Sequence, residues 1–261
     1  MRAVVLTFDN LGEASALQRG TSDPATPLGR DPSVTEALPR LLRELAALEL
    51  RATFFVEAIN CELNPEAVRA IAAAGHELGV HGYSHEPWSD LGEAQERELL
   101  ERSTAAFARL GLTVRAFRPP GGALTVRTPA LLRRHGYTWC SPEGKALSVS
   151  DGLATIPFDW ELVDAFHLMD RFADRRRRRG EAAGGTAPAE LADRLARTLT
   201  EMKDPPTLRT LILHPFLMLD EAWWQGVQVL LARIARLHRE GAAWVGPGED
   251  LVRRLQETAR S

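Results

Sequence analysis

The sequence predicts a barrel-like α/β domain, on three observations. Short apolar or β-branched runs alternate with stretches of helical periodicity, the pattern of βα units and a largely parallel sheet. Eight such runs follow one another, which favours closure into a barrel over a simple open sheet. Neither an internal repeat nor a linker interrupts the 261 residues, so a single domain spanning 1–261 is expected, with chain enough for a large core.

In chain order the expected strands are Ala3–Phe8, Ala52–Val56, Glu77–His81, Val114–Phe117, Tyr137–Cys140, Ala154–Phe158, Thr210–His214 and Ala242–Val245. Leu38, Leu41, Leu42, Leu45 and Leu48 recur at helical spacing behind a candidate capping box, Ser33 with Glu36. Pro39 fits poorly inside a helix and moves the expected start beyond it. Asn64 and Pro65 read as N-cap and first helical residue, with Gly75 as the C-terminal cap. Thr128, Pro129 and Gly136 repeat that punctuation, and Asp220 opens a helix ending near Gly241. The basic run Arg175–Arg179, followed by Gly180, Gly184, Gly185 and Pro188, breaks the alternation. Its plain reading is a solvated helix end passing into a flexible loop.

The chain has 32 basic against 35 acidic residues and is 44% hydrophobic, which excludes disordered and collagen-like classes. A net charge of −3 removes any chain-wide electrostatic reason to expect nucleic acid or an anionic membrane as partner. Two cysteines, Cys61 and Cys140, cannot build a disulfide framework. No apolar run approaches the ~20 residues of a membrane span. MRAVVLTFDN reaches an acidic residue too early for a secretory signal, so a cytoplasmic location is expected. Oligomeric state is not legible.

Chemistry collects at five places, each at or just after the end of an expected strand, the rim where α/β enzymes assemble their sites. Asp9 and Asn10 end the first; Asp9 is either a working carboxylate or a turn cap. His81 and His85 are four apart, close enough to chelate a metal on one turn or a tight loop, though such pairs also occur as packing residues, as do Tyr83 and Trp88 nearby. Arg118 is followed by Pro119, Pro120, Gly121 and Gly122, a stiff turn whose exposed N–H groups can face a substrate oxygen, or simply a structural corner. Asp159 and Trp160 offer a carboxylate and an aromatic wall, or an ion pair and a core ring. His214 ends the apolar run Leu211–Leu213 and emerges at the rim, unless it is a satisfied core histidine. His76, His135, His167 and His238 read as structural.

Together these stretches resemble the polysaccharide deacetylase family, also called the NodB-homology family or carbohydrate esterase family four. The resemblance runs through LTFDN (Leu6–Asn10), RATFFV (Arg51–Val56), GHELGVHGYSH (Gly75–His85), FRPPG (Phe117–Gly121), Asp159–Trp160 and LILH (Leu211–His214). It implies an irregular (β/α) barrel that hydrolyses an amide, usually an N-acetyl group on a sugar, with a divalent metal, zinc being the expected one. By position, Asp9 is implied as general base, His81, His85 and the residue at Asn10 as metal ligands, and Arg118 as the residue holding the base. Asp159 is implied to orient His214, the general acid. Trp160, Tyr83 and Pro120 are expected near the substrate, and Gly121 to complete an oxyanion site. The nearby Asp164 is the other candidate for accepting the second ring hydrogen of His214.

One departure matters: the family's usual motif has a second aspartate where this chain has Asn10, and a neutral amide binds a divalent ion more weakly. The wording HGYSHE is also similar to the allantoinase-like and cyclic-imide-hydrolysing branch. The leading reading is therefore a hydrolase removing acetyl or formyl from an amino sugar or small metabolite. Ring opening of a cyclic amide and a non-catalytic binding descendant are the alternatives. The segment from Phe166 to Pro188 is too long and Gly-rich for an economical crossover, and is expected to close the pocket to polymers in favour of a small, acidic substrate.

Overall fold

Side chains alternate along β1 (Arg2–Asp9) and so define two faces. Val4, Leu6 and Phe8 join the large outer core under the helices, whereas Ala3 and Val5 point inward with Phe55, Trp139 and Ile156. The computed structural model describes residues 2–22, 25, 27–201 and 207–258. Its other strands are β2 (Thr53–Val56), β3 (Glu77–Val80), β4 (Ala116–Phe117), β5 (Trp139–Cys140), β6 (Ser148–Ser150), β7 (Leu153–Thr155), β8 (Thr207–Leu213) and β9 (Trp244–Gly246). The order is β6-β7-β5-β4-β3-β2-β1-β8, with β9 paired to β1, and every pairing is parallel except β6 with β7. The result is a curled α/β half-barrel surrounded by helices. A single parallel bridge, Val163 to Ile212, links the segment after β7 to β8.

All eight expected strands occur, several trimmed at their ends. The ninth, β6, has no sequence signal because Ser148–Ser150 is short and exposed, with Val149 its single apolar residue. Pro39 sits in the first turn of the helix Leu38–Ala47 rather than before it, where its missing N–H has no partner to lose. A π-helical stretch, Ser33–Ala37, precedes it, and Ser33 Oγ accepts the N–H of Gly12 at 3.1 Å instead of forming a capping box. Asp220 does cap the helix Glu221–Arg239, accepting the N–H of Trp223 at 2.8 Å. The helix Gly248–Thr258 plugs the lower end through Leu251 and Val252; a Cβ on Gly248 would lie 2.2 Å from the Trp139 ring, so only glycine lets it start there. No helix among the described residues is long and apolar enough to cross a membrane.

The basic run ends a short helix, as expected, but is not solvated throughout. Residues Ala173–Arg178 form a helix, and the Arg176 side chain is 1% exposed, donating to the carbonyls of Phe166, Met169 and Ala183. Arg177 pairs with Asp174, Arg179 with Asp159, and Arg175 with Glu143 at 3.3 Å. Arg176 is thus consumed by carbonyls of the surrounding connection, whereas Arg177, Arg178 and Arg179 stay exposed.

Candidate active site

Parallel strands deliver their carboxyl ends to one rim, and the alternation of β1 turns Thr7 and Asp9 toward the interior with Ala3 and Val5. Asp9 is 5% exposed, and Arg118, directly after β4, donates to its Oδ1 at 2.5 Å. The same guanidinium donates to Thr7 Oγ1 at 2.8 Å and Ser141 Oγ at 2.9 Å and lies 4.2 Å above the Phe55 ring. Burial draws the Arg118 pKa down while Asp9 opposes that, a fully desolvated pair in which each charge needs the other.

His81 ends β3 and donates from Nδ1 to the carbonyl of Arg118 at 2.9 Å. A carbonyl only accepts, so Nδ1 carries the hydrogen and Nε2 keeps a lone pair, 4.0 Å from Asp9 Oδ2. The His81 and His85 rings stand 5.0 Å apart. They meet on a tight loop, not a helical turn: His85 has φ +76, and Glu86 accepts the N–H groups of Tyr83 and Ser84, both at 2.9 Å, which holds the loop in that strained shape. Burial lowers His81 to a pKa of about 3 and His85 to about 2, so both imidazoles stay neutral.

Glu57 follows β2 and was missed in the sequence. Its signal was the one that singled out Asp9, a carboxylate directly after a buried apolar strand. Glu57 is fully buried, and ligand atoms of Glu57, His81 and His85 lie within 4.8 Å of one another. Burial, with Asp9 adding to it, pushes the Glu57 carboxyl up to about 8. Asn10, in the left-handed region at φ +60, donates from Nδ2 to Glu57 Oε1 at 2.7 Å, and the N–H of Leu11 donates to Oε2 at 3.1 Å.

On the opposite wall, His214 follows β8, and its Nδ1 donates to Asp164 Oδ1 at 2.5 Å. Asp164 is fully buried and also accepts the N–H of His214 at 2.9 Å and Trp223 Nε1 at 3.3 Å. The expected partner, Asp159, does not reach His214. It caps the next turn by accepting the N–H of Glu161 at 3.0 Å and pairs with Arg179. The five-residue difference is decided by the irregular chain after β7, whose bridge at Val163 swings Asp164 under β8.

Asp9, Asn10, His81, His85, Arg118, Gly121, Trp160 and His214 line one cavity of about 170 Å³. Gly121, at φ +82, presents an N–H with no partner among the described residues. Tyr83 and Pro120 stand outside the cavity lining. The Tyr83 hydroxyl donates to Glu62 at 3.0 Å and its ring is covered by Arg102, while Pro120 packs against Gly82. Arg171, Phe172 and Arg175 also line the cavity, with Phe172 5.4 Å from the Trp160 ring and the Arg175 guanidinium 4.2 Å above it.

Relatives share this arrangement of chain. A peptidoglycan deacetylase of Helicobacter pylori is 33% identical over 103 residues, 39% of this chain and 35% of that protein; the chain spans about a third of the length of the curated relatives it matches. A crystal structure of a Mycobacterium smegmatis chain assigned as a polysaccharide deacetylase superposes with a TM-score of 0.84 at 26% identity, covering 98% of this chain and 91% of that one. The Puue allantoinase shares the fold, with a TM-score of 0.76 at 18% identity over 98% and 90% of the two chains. The profile described as polysaccharide deacetylase matches residues 1–140, more than half of the sequence, and the chain belongs to that family.

Proposed function

We propose that this protein hydrolyses the C–N bond of an amide, removing an acetyl or formyl group from an amino sugar or small metabolite. The observation that carries this reading is two charge-paired groups at the ends of the neighbouring strands β1 and β8, Asp9 with Arg118 and His214 with Asp164, with Asp9, Arg118 and His214 lining one cavity. Asp9 takes a proton from the attacking water while Arg118 fixes its orientation. Asp164 holds His214 through Nδ1, leaving Nε2 to deliver a proton to the departing amine as the C–N bond breaks. The Gly121 N–H is available to the developing oxyanion. A pure binding site has no need of this proton-moving apparatus.

The family's divalent ion fits the donors present: two neutral imidazoles, His81 with a free Nε2 lone pair, stand beside an oxygen donor, a set suited to zinc. When bound, it would polarise the acyl oxygen and acidify water. Phe172, Arg171 and Arg175 wall the cavity and support a compact substrate over a polymer, with guanidinium groups suited to an acidic one. The same enclosure supports ring opening of a cyclic amide as the second reading.

The test incubates the purified protein with small N-acetyl and N-formyl amides, a cyclic amide and chito-oligomers while acid release is measured. Turnover of a small amide, lost in Asp9→Asn, is expected. A folded protein that turns over none of them would sink the proposal.

A further inference from the structure

The residue that departs from the family's pattern at this site, Asn10, touches a buried acid from another strand end. Where the family's motif has a second aspartate, Asn10 stands, and its Nδ2 donates to Glu57 at 2.7 Å. The amide is thereby committed, nitrogen first, to the carboxylate. Glu57 comes from a different strand end, after β2, and is the acid whose ligand atom lies within 4.8 Å of those of both His81 and His85. A carboxylate accepts through both oxygens and has further lone pairs: Asn10 Nδ2 occupies one on Oε1 and the Leu11 N–H, at 3.1 Å, one on Oε2. Capacity for a metal remains after both bonds.

We infer that the metal-binding carboxylate has been transposed in this protein from position 10 to Glu57, and that Asn10 is a positioning residue that holds Glu57 toward His81 and His85. The inference rests on the proposed function only for the presence of a metal, and it alters which side chain supplies the negative charge. Three lines of physical reasoning support it. A divalent ion at two neutral imidazoles needs an anionic oxygen to offset its charge, and Glu57, the acid clustered with both rings, supplies it by releasing its proton as the ion binds. Amide-to-carboxylate hydrogen bonds are the usual way ligating carboxylates are aimed. An aspartate at position 10 would set a second carboxylate at the 2.7 Å now spanned by a hydrogen bond, so an amide, which donates, suits an ionised Glu57 better than the family's usual residue does.

The test is Zn²⁺ titration of the metal-stripped full chain against a chromophoric chelator, with circular dichroism as the check on folding. Glu57→Gln, which keeps the shape, should weaken Zn²⁺ binding beyond the ~10–100-fold that loss of an outer positioning residue costs, and Asn10→Ala should fall within that range. Asn10→Asp alone should give no gain, whereas Asn10→Asp with Glu57→Gln, which moves the charge back, should recover affinity over Glu57→Gln alone. If Asn10 is itself the ligand, the order reverses: Asn10→Ala is the more damaging and Glu57→Gln binds within about twofold of the wild type. That order overturns the inference, as does a wild-type chain that binds no Zn²⁺. Amide turnover by the metal-stripped wild type, still abolished by Asp9→Asn, would show that the hydrolase reading survives such a failure.

Discussion

Asp9 and His214 each depend on one buried charged partner, but the two pairs are assembled by different parts of the molecule. Asp9 meets Arg118, and both follow directly from central parallel strands, so the pair forms whenever the sheet does. His214 also leaves a central strand, yet its partner Asp164 arrives from an irregular connection held to β8 by one bridge. The Asp9 pair is thus fixed by backbone hydrogen bonding and the His214 pair by packing of a loop. Contacts made by sheet order follow from a pattern of strands; contacts made by a connection do not.

The sharpest way to break this comparison is Asp9→Asn. The substitution keeps shape and removes the proton acceptor, so kcat should fall by ~100-fold or more while circular dichroism stays unchanged. Near-normal turnover would remove Asp9 from the role of base. Next in size, Asp164→Asn and Asp159→Asn separate the two candidate partners of His214. Asp164→Asn should lower kcat by about 10–100-fold with little change in KM, and Asp159→Asn should change it by less than about threefold. The reverse ranking would return the orienting role to Asp159.

A smaller effect is expected at the mouth. Phe172→Ala opens the wall against Trp160, and kcat/KM for a disaccharide amide relative to a monomeric one should rise by about 10-fold. An unchanged ratio would show that the wall does not set substrate size.

The last variant leaves turnover untouched and isolates stability from catalysis. His76 lies at the other end of β3 from His81, where its Nδ1 accepts the N–H of Ala52, and burial, with Arg51 adding, lowers its pKa to about 4. The unfolded chain takes up this proton near 6.5 and the folded one only near 4. Stability is therefore present above 6.5 and lost as pH falls through that window. His76→Gln should flatten the fall in Tm between pH 6.5 and 4, and an equal slope in both proteins would refute the assignment.

Much of the rim was legible because strand ends and alternation are local properties of sequence. Apolar runs marked where β1, β3, β4 and β8 stop, and Asp9, His81, Arg118 and His214 stand at those stops. Glu57 obeys the same rule at the end of β2, but it lies outside the motif stretches and only the fold, through its bond to Asn10, ties it to the site. Tyr83 and Pro120 carried the right neighbours in sequence and the wrong side of the loop in space.

By itself, then, the sequence determined the α/β alternation, the strand ends, and the residue types delivered to the rim, since periodicity of two assigns each side chain to a face. Only the tertiary structure decided who touches whom across that rim: Asn10 with Glu57 over 47 positions, His214 with Asp164 over 50, and Arg179 with Asp159 over 20. It also brought Arg175 of the basic run to the cavity wall and buried Arg176 among backbone carbonyls. The physical reason is that alternation specifies a face but not a neighbour. Neighbours are set by strand order and by the paths of irregular connections, whose hydrogen bonds are made after the chain has closed on itself.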